Sequence, residues 1–197
     1  MSLGYALRRI VEEYPLAKLE PPAGHVLATV IRKGAPEELR RALEPVEDTF
    51  LVKGSPGRGT HWAAVPWLAV FDPSVTTSAT RGYYLVYLFP ADRERVHLSL
   101  AQGTVAALRE HGPRALDHLR ASGDRLRERL SDFAERLPLA SLSLGTAGEL
   151  PEGYEVAHIL GLSYGLDDLG DEARLRADLA LGIEAYRALK ARGGLAF

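Results

Sequence analysis

The segment from Lys53 to Trp67, KGSPGRGTHWAAVPW, combines residue types that suit contacts with a nucleic acid. It holds three glycines, a lysine, an arginine and a histidine, no acidic residue, and both tryptophans of the chain. Glycine lets the backbone approach a phosphate closely, cationic side chains neutralise that phosphate, and an indole ring can stack on a base. We therefore expect a slot lined by aromatic rings, with a flexible arginine-bearing loop at its mouth.

Charge is distributed unevenly around this segment. The whole chain has 24 Lys and Arg against 26 Asp and Glu, a net charge of −2. Residues 49–91 contain three basic residues and one acid, Asp72, so this part carries +2 and the remainder −4. A cationic middle favours a polyanionic partner. Contacts with a phosphate backbone are expected from its basic and hydroxyl side chains, namely Lys53, Ser55, Arg58, Thr60, His61 and Arg81.

Other chemistry finds little support in the sequence. Gly54 and Gly59 have the separation of a phosphate-binding P-loop, but Thr60 stands where that motif requires lysine. Ser163 lies in GLSYG, which is not the GxSxG of a nucleophile elbow. The six histidines are scattered, and the absence of cysteine excludes thiolate ligands and disulfides. We expect no catalytic residues, no metal site and no cofactor.

Helical periodicity marks both ends of the chain. The N-terminal helix is predicted to end before Pro15, and a short helix to follow Pro36. Residues 26–31 fit either a strand or a short helix. Residues 104–137 are predicted to be helical, with a break at GPR and a possible one at ASGD, and EARLRADLALGIEAYRALKAR forms the last helix. The apolar face of the last helix is expected to comprise Leu175, Leu179, Ile183, Tyr186 and Leu189.

The centre of the chain reads as β-structure. Four runs rich in Val, Leu and aromatic residues, TFLVKG, WAAVPWLAVF, GYYLVYLF and RVHLSLAQG, are separated by turn residues, which predicts antiparallel hairpins. Proline cannot donate to a ladder, so Pro66 places its strand at an edge or marks a bulge. The stretch ASLSLGTAGELPEGYE is predicted to form a short strand and a loop.

Alternation along these strands predicts which aromatic residues share a face. Trp62 and Trp67 are separated by an odd number of residues, which puts them on opposite faces of a regular strand. Tyr83 and Tyr87 share a face, whereas Tyr84 points the other way with its apolar neighbours. The fold class is therefore α+β, a mostly antiparallel sheet flanked by N-terminal and C-terminal helices, in a single domain of residues 1–197 whose sheet core spans about 49–102.

Three parts of the sequence resemble a known family. They are VKGSPGRGTHWAAVPWLAVFD, GYYLVYLF and VHLSLAQG, and together they are similar to the N-terminal DNA-binding domain of the McrB-type modification-dependent restriction proteins. The glycine-rich turn before the Pro-Trp pair and the Gly-Tyr-Tyr strand ending in Leu-Phe carry most of the likeness. A weaker likeness extends through GYEVAHILGLSYGL to the last helix.

The resemblance implies that the chain reads methylated or otherwise modified cytosine in duplex DNA by flipping the base into an aromatic pocket. Trp67 would be a wall of that pocket, and Tyr84 and Leu88 would be further pocket residues. Trp62 is also expected to belong to the base-binding pocket. Arg58 departs from the family pattern, since the best-known member has an aromatic residue in this loop; it can stack on a base, clamp a phosphate or fill the gap left by the flipped base. A remaining pocket residue is expected nearer the C-terminus, with Tyr154 and Tyr164 as candidates.

The resemblance further implies a non-catalytic recognition domain. Its partners would be duplex DNA carrying modified bases and a nuclease or motor domain in the same or another chain, with no role for a membrane. We expect a fragment of a longer cytoplasmic protein that takes part in phage defence. Two alternatives remain open at this point, a protein–protein interaction module that uses the sheet and its tryptophans, and a small nuclease.

Overall fold

A computed structural model describes residues 2–44, 50–92 and 94–196. The described residues form a five-stranded antiparallel sheet in the order β1-β2-β3-β4-β5, so each strand pairs with the next along the chain. The strands are β1 (Leu51–Arg58), β2 (His61–Phe71), β3 (Tyr83–Leu88), β4 (Arg95–Gln102) and β5 (His158–Gly165). Helices precede and follow the first four strands, which confirms the predicted α+β class.

The helices bury apolar residues against the sheet or against a neighbouring helix. The predicted face of the last helix is confirmed, since all five of its residues are buried. No described helix is long and apolar enough to cross a membrane. The helices are α1 (Leu3–Ala17), α2 (Val26–Thr29), a π-helical turn (Val30–Gly34), α3 (Ala35–Leu43), α4 (Thr104–His111), α5 (Ala115–Arg129), α6 (Glu149–Ala157) and α7 (Glu172–Ala191), with 3-10 turns at Gly112–Arg114, Ser131–Phe133 and Asp167–Gly170.

The sheet separates two apolar clusters. The larger cluster contains Tyr83, Leu85 and Tyr87 of β3 and lies under α1, α3 and α7. The smaller contains Tyr84, Val86 and Leu88 on the other face, with side chains from the loop before α6 and from α6 itself. The alternation predicted for β3 is thereby confirmed. The smaller cluster is covered less completely, and the candidate site lies on its side of the sheet.

Three sequence-based predictions in the C-terminal half were wrong or incomplete. The sheet does not end near residue 102, because β5 pairs with β4 and forms its edge. Residues 149–157, predicted as loop, form α6, and β5 begins directly after it with no turn residue to mark the change. The possible break at ASGD is absent, since α5 runs through it. The predicted sheet boundary at Thr49 lies outside the described residues.

Near the N-terminus, one prediction was wrong and one had been left open. Helix α1 continues past Pro15 to Ala17 instead of ending before the proline. Proline near the last turn removes one backbone donor but keeps a helical φ, so the helix can continue for a few residues. Residues 26–31, left open between strand and helix, are helical.

Candidate nucleic-acid interface

A hollow of about 240 Å³ opens on the face of the sheet that carries the smaller apolar cluster. We call it the Trp67 hollow. It lies between the β1–β2 hairpin and the first turns of α6. Its lining residues are Ser55, Gly57, Arg58, Ala63, Ala64, Val65, Trp67, Leu150, Pro151 and Tyr154.

A large irregularity in the β1–β2 pairing creates this space. Ser55 pairs with Trp67, and Gly57 pairs with Trp62, so four residues of β2 lie opposite the single residue Pro56. The extra residues bring the small side chains of residues 63–65 to the hollow instead of filling it. Sequence analysis offered an edge strand or a bulge as the reason for Pro66, and the bulge is confirmed, because β2 is paired on both sides.

Side-chain and backbone constraints hold this bulge in place. The Tyr14 hydroxyl lies 2.8 Å from the carbonyl oxygens of both Pro56 and Ala63, one on each strand. Gly57 has a φ of +136°, and a Cβ there would lie 2.1 Å from the carbonyl oxygen of His61. Glycine is therefore required at position 57 for both its conformation and the close approach of the two strands. These contacts position Ser55 and Arg58 beside Trp67.

Three polar side chains at the hollow are available to a ligand. Ser55, Arg58 and Tyr154 make no side-chain hydrogen bond or ion pair with another described residue. Desolvation raises the pKa of the Tyr154 phenol, so this hydroxyl stays protonated and can donate. All three groups can donate hydrogen bonds, whereas the remaining lining is apolar or aromatic. Such a lining suits a flat ligand with acceptor atoms on its edge.

The two sides of the rim of the hollow carry opposite charges. The exposed Arg58 lies on the hairpin side, and the exposed Glu149 and Glu152 lie in the first turn of α6 on the other side. Acids are favoured at a helix N-terminus, and Glu152 accepts a hydrogen bond from the amide of Gly148 at 3.3 Å. A phosphate approaching the hollow is therefore attracted to the hairpin side and repelled from the α6 side. Leu150, at 43% exposure, is a large apolar side chain on the α6 rim.

Trp62 is not brought to this hollow. As alternation predicts, it lies on the opposite face, against the larger cluster. Its ring makes edge-to-face contacts with Tyr14 and His25, at centroid distances of 5.1 and 5.2 Å, and its indole N–H donates to the carbonyl oxygen of Glu20 at 2.7 Å. Trp62 therefore has a structural role, because these contacts attach the connection between α1 and α2 to β2.

Tyr84 and Leu88 are buried in the smaller cluster and do not line the hollow. Each is 3% exposed, and Leu88 is the direct register partner of Trp67. The Tyr84 hydroxyl donates to the carbonyl oxygen of Ala79 at 3.1 Å, and burial raises the pKa of this phenol strongly. Both side chains belong to the smaller cluster that supports the Trp67 ring.

The proposed backbone-contact residues are distributed over a wider surface. Lys53 is exposed on β1, and its Nζ donates to the carbonyl oxygen of Thr77 at 2.9 Å. Thr60 and His61 lie at the hairpin tip, where the Thr60 hydroxyl is 3.2 Å from Nδ1 of His61. Arg81 is separate from the other candidates, since it lines a different hollow at the far end of β3. The glycine-rich segment itself is mostly strand β1, with a turn of only Gly59 and Thr60.

The structure separates the two tyrosines that sequence analysis left as candidates. Tyr154 lines the Trp67 hollow, whereas Tyr164 is fully buried on the other face with its hydroxyl 3.2 Å from Oδ2 of Asp178. Leu150 and Pro151 were missed, because residues 149–157 were predicted as loop. The close approach of α6 depends on Gly153, where a Cβ would lie 2.3 Å from Cγ2 of Thr104. Gly153 in the middle of this segment was the feature of the sequence that could have indicated close packing there.

The same part of the chain contains no evident metal centre. Among the described residues, no three His, Cys, Asp or Glu side chains are close enough together to hold a metal ion.

Comparison with known proteins accounts for nearly the whole chain. The family described as "MrcB-like, N-terminal domain" matches residues 9–191, a range that includes every strand of the described sheet and both sides of the Trp67 hollow. No curated protein matches the chain. The chain therefore belongs to the MrcB-like N-terminal domain family, the DNA-recognition domains of McrB-type restriction systems, as distinct from their catalytic parts.

Proposed function

We propose that this domain reads modified cytosine in duplex DNA by receiving the flipped base in the Trp67 hollow. The observation that carries the proposal is a vacant space of about 240 Å³ lined by two aromatic rings, Trp67 and Tyr154, beside three unengaged donors. A base taken out of a duplex loses its stacking and its pairing partner, and this site offers a replacement for both.

The energetic balance supports the same conclusion. Stacking on an aromatic side chain contributes about 1–3 kcal/mol per base, whereas extruding a base costs a few kcal/mol. Ser55 and Tyr154 can donate to the acceptor atoms on the pairing edge of cytosine, which would otherwise be desolvated without a partner. Stacking and hydrogen bonding together are sufficient to offset the cost of flipping.

The surrounding residues have consistent roles in this proposal. Lys53, Thr60 and His61 on the hairpin side contact phosphates. Leu150 is placed to press on the bases beside the extruded one, as apolar wedges do in other DNA complexes. Leu88, the register partner of Trp67, supports the Trp67 ring, and Tyr84 completes the same cluster farther along β3. The nuclease or motor that acts on the bound DNA would lie in another domain of the same protein or in a partner.

A direct binding comparison tests the proposal. Two duplexes that differ only in one 5-methyl group on cytosine are titrated at one fixed salt concentration. A buried methyl contributes about 0.8 kcal/mol, so we expect a preference of about fourfold or more for the methylated duplex. A fluorescent base analogue at the modified position should brighten on binding. Equal affinity for the two duplexes, with no brightening, would contradict recognition of the modified base and would leave only DNA binding without a preference for the modification.

Arg58 is expected to act mainly through phosphate. Arg58→Ala should weaken binding to plain and methylated duplexes equally and flatten the slope of log affinity against log salt by about 0.9, because one fewer counterion is released. The measurement is a salt titration of both duplexes. Glu149→Gln on the opposite rim is the matched control and should strengthen binding to both. If Arg58→Ala instead lowers the preference for methylated DNA at an unchanged slope, the arginine contacts the base and not the backbone.

A further inference from the structure

A second hollow of about 340 Å³ lies at the other end of β3. We call it the Arg81 hollow. Strand β3 runs from Tyr83 to Leu88, so at about 3.4 Å per residue roughly 17 Å of strand lies between this site and the Trp67 hollow. Helices α4 and α5 form its far wall. Its lining residues are Arg81, Gly82, Gln102, Gly103, Ala106, Ala107, Glu110, His111, His118, Leu119, Ser122 and Leu195.

Two buried polar side chains form part of its lining. Gln102 is 3% exposed, and one of its amide hydrogens is used by a bond from Nε2 to the carbonyl oxygen of Leu119 at 3.1 Å. That bond fixes the side chain and leaves its second N–H and its Oε1 unused. Ser122 is 2% exposed, and its hydroxyl makes no hydrogen bond with another described residue. Buried polar groups with spare capacity usually have a partner, which a ligand in this hollow would supply.

Two histidines from different helices stack at its wall. The ring centroids of His111 and His118 are 3.8 Å apart with an angle of 21° between the planes. Burial is the main cause that lowers the pKa of His118, followed by His111 and Arg125, whereas Glu110 acts in the opposite direction. An anion in the space before the rings would favour the protonated form of His118.

Arg81 supplies a fixed positive charge to the same space. It is exposed and makes no ion pair or side-chain hydrogen bond with another described residue. A guanidinium presents a planar set of donors that matches the oxygens of a phosphate. Among the described residues that line the hollow, Glu110 is the only acid, and the positive charge of Arg81 offsets it.

We propose that the Arg81 hollow binds a phosphate group, held by Arg81, the hydroxyl of Ser122 and the His111–His118 pair. Binding of the anion favours uptake of a proton by His118, because the anion offsets the desolvation that disfavours the charged ring. The phosphate belongs either to the DNA backbone or to a small phosphorylated molecule. Phosphate binding in the Arg81 hollow does not depend on base flipping, so this proposal is tested independently of the one for the Trp67 hollow.

Nuclear magnetic resonance of the histidine rings in the whole chain tests the proposal. Inorganic phosphate is titrated at constant ionic strength maintained with sodium chloride. The ring signals of His111 and His118 should shift saturably, and the pKa of His118 should rise with phosphate bound. Arg81→Ala should weaken phosphate binding about tenfold or more, as expected for loss of a charged hydrogen-bond donor. Arg109→Ala, which removes an exposed charge on α4 outside the lining, should leave binding unchanged.

The outcomes are separable. If the two histidines shift no more with phosphate than with chloride, or if Arg81→Ala and Arg109→Ala bind phosphate equally well, the proposal is overturned. Where phosphate binds, salt titrations with plain duplex identify its source. If Arg81→Ala releases about one counterion fewer than the wild type on binding DNA, and Arg109→Ala does not, the site binds the DNA backbone. Unchanged DNA binding by Arg81→Ala, with phosphate binding lost, assigns it to a small phosphorylated molecule.

Discussion

Trp67→Ala is expected to abolish the preference for methylated over plain DNA and the fluorescence signal of an extruded base. Loss of stacking on the indole removes about 1–3 kcal/mol, which corresponds to roughly 5- to 150-fold weaker binding of the modified duplex. Plain duplex should lose much less affinity, because its phosphate contacts on the hairpin do not involve this ring. The measurement is the same titration of paired duplexes at fixed salt, with the brightening of the base analogue as a second readout.

Trp62 provides the matched control, since it is the other tryptophan of the same strand but lies on the opposite face. Trp62→Ala loses the hydrogen bond to Glu20 and the ring contacts with Tyr14 and His25, so it should lower the free energy of unfolding. Under conditions where it is folded, it should retain the preference for methylated DNA. If Trp62→Ala loses that preference while Trp67→Ala keeps it, the hollow has been placed on the wrong face of the sheet.

The strands were predictable because their signal is local. Period-2 alternation assigned Tyr83 and Tyr87 to one face and Tyr84 to the other. The two tryptophans also lie on opposite faces, although the bulge between them interrupts the regular strand that the prediction assumed. The stretch that became α6 and β5 lacked such a signal. Helix α6 passes into β5 between Ala157 and His158 without a glycine or proline, so no residue type marks the boundary. Pairing with β4, a long-range contact, decides the conformation there.

The candidate site was only half predictable for a related reason. Its hairpin side is one continuous segment, so residue type and spacing identified Ser55, Arg58 and Trp67 together. Its other side is formed by α6, and Tyr154 of that helix lies far from Trp67 along the chain. The volume of the hollow depends on a bulge whose two strands are joined through the hydroxyl of Tyr14, a residue of the N-terminal helix. Neither long-range contact leaves a pattern in the local sequence.

His158, the first residue of β5, should make the stability of the domain depend on pH. The ring is 1% exposed. Its Nε2 lies 2.7 Å from the carbonyl oxygen of Leu139, which can only accept, so Nε2 carries the hydrogen. Nδ1 then accepts from the hydroxyl of Ser99 at 2.7 Å. The bond from Ser99 requires the neutral ring, whereas Nε2 donates to Leu139 in either protonation state. Desolvation lowers the pKa of His158 to about 4.

The direction of the pH effect follows from proton binding. An unfolded histidine has a pKa of about 6.5, so below that pH the unfolded state binds a proton that the folded state does not. The stabilisation is therefore complete above pH 6.5 and is lost as pH falls towards 4, for a total of about 3 kcal/mol. Between pH 7.5 and 5 the free energy of unfolding should fall by about 2 kcal/mol from this residue alone. His97, whose pKa burial also lowers, adds a change of the same sign.

Urea denaturation of the wild type and of His158→Gln at pH 7.5, 6 and 5 isolates this contribution. The glutamine amide can donate to Leu139 and accept from Ser99, but it does not titrate. His97 and the carboxylates are common to both proteins, so their contributions cancel in the difference. The wild type should lose about 2 kcal/mol more than His158→Gln between pH 7.5 and 5. Parallel losses would mean that the buried imidazole accepts a proton without disrupting its bonds to Ser99 and Leu139, and that the loss of acid stability originates elsewhere in the domain.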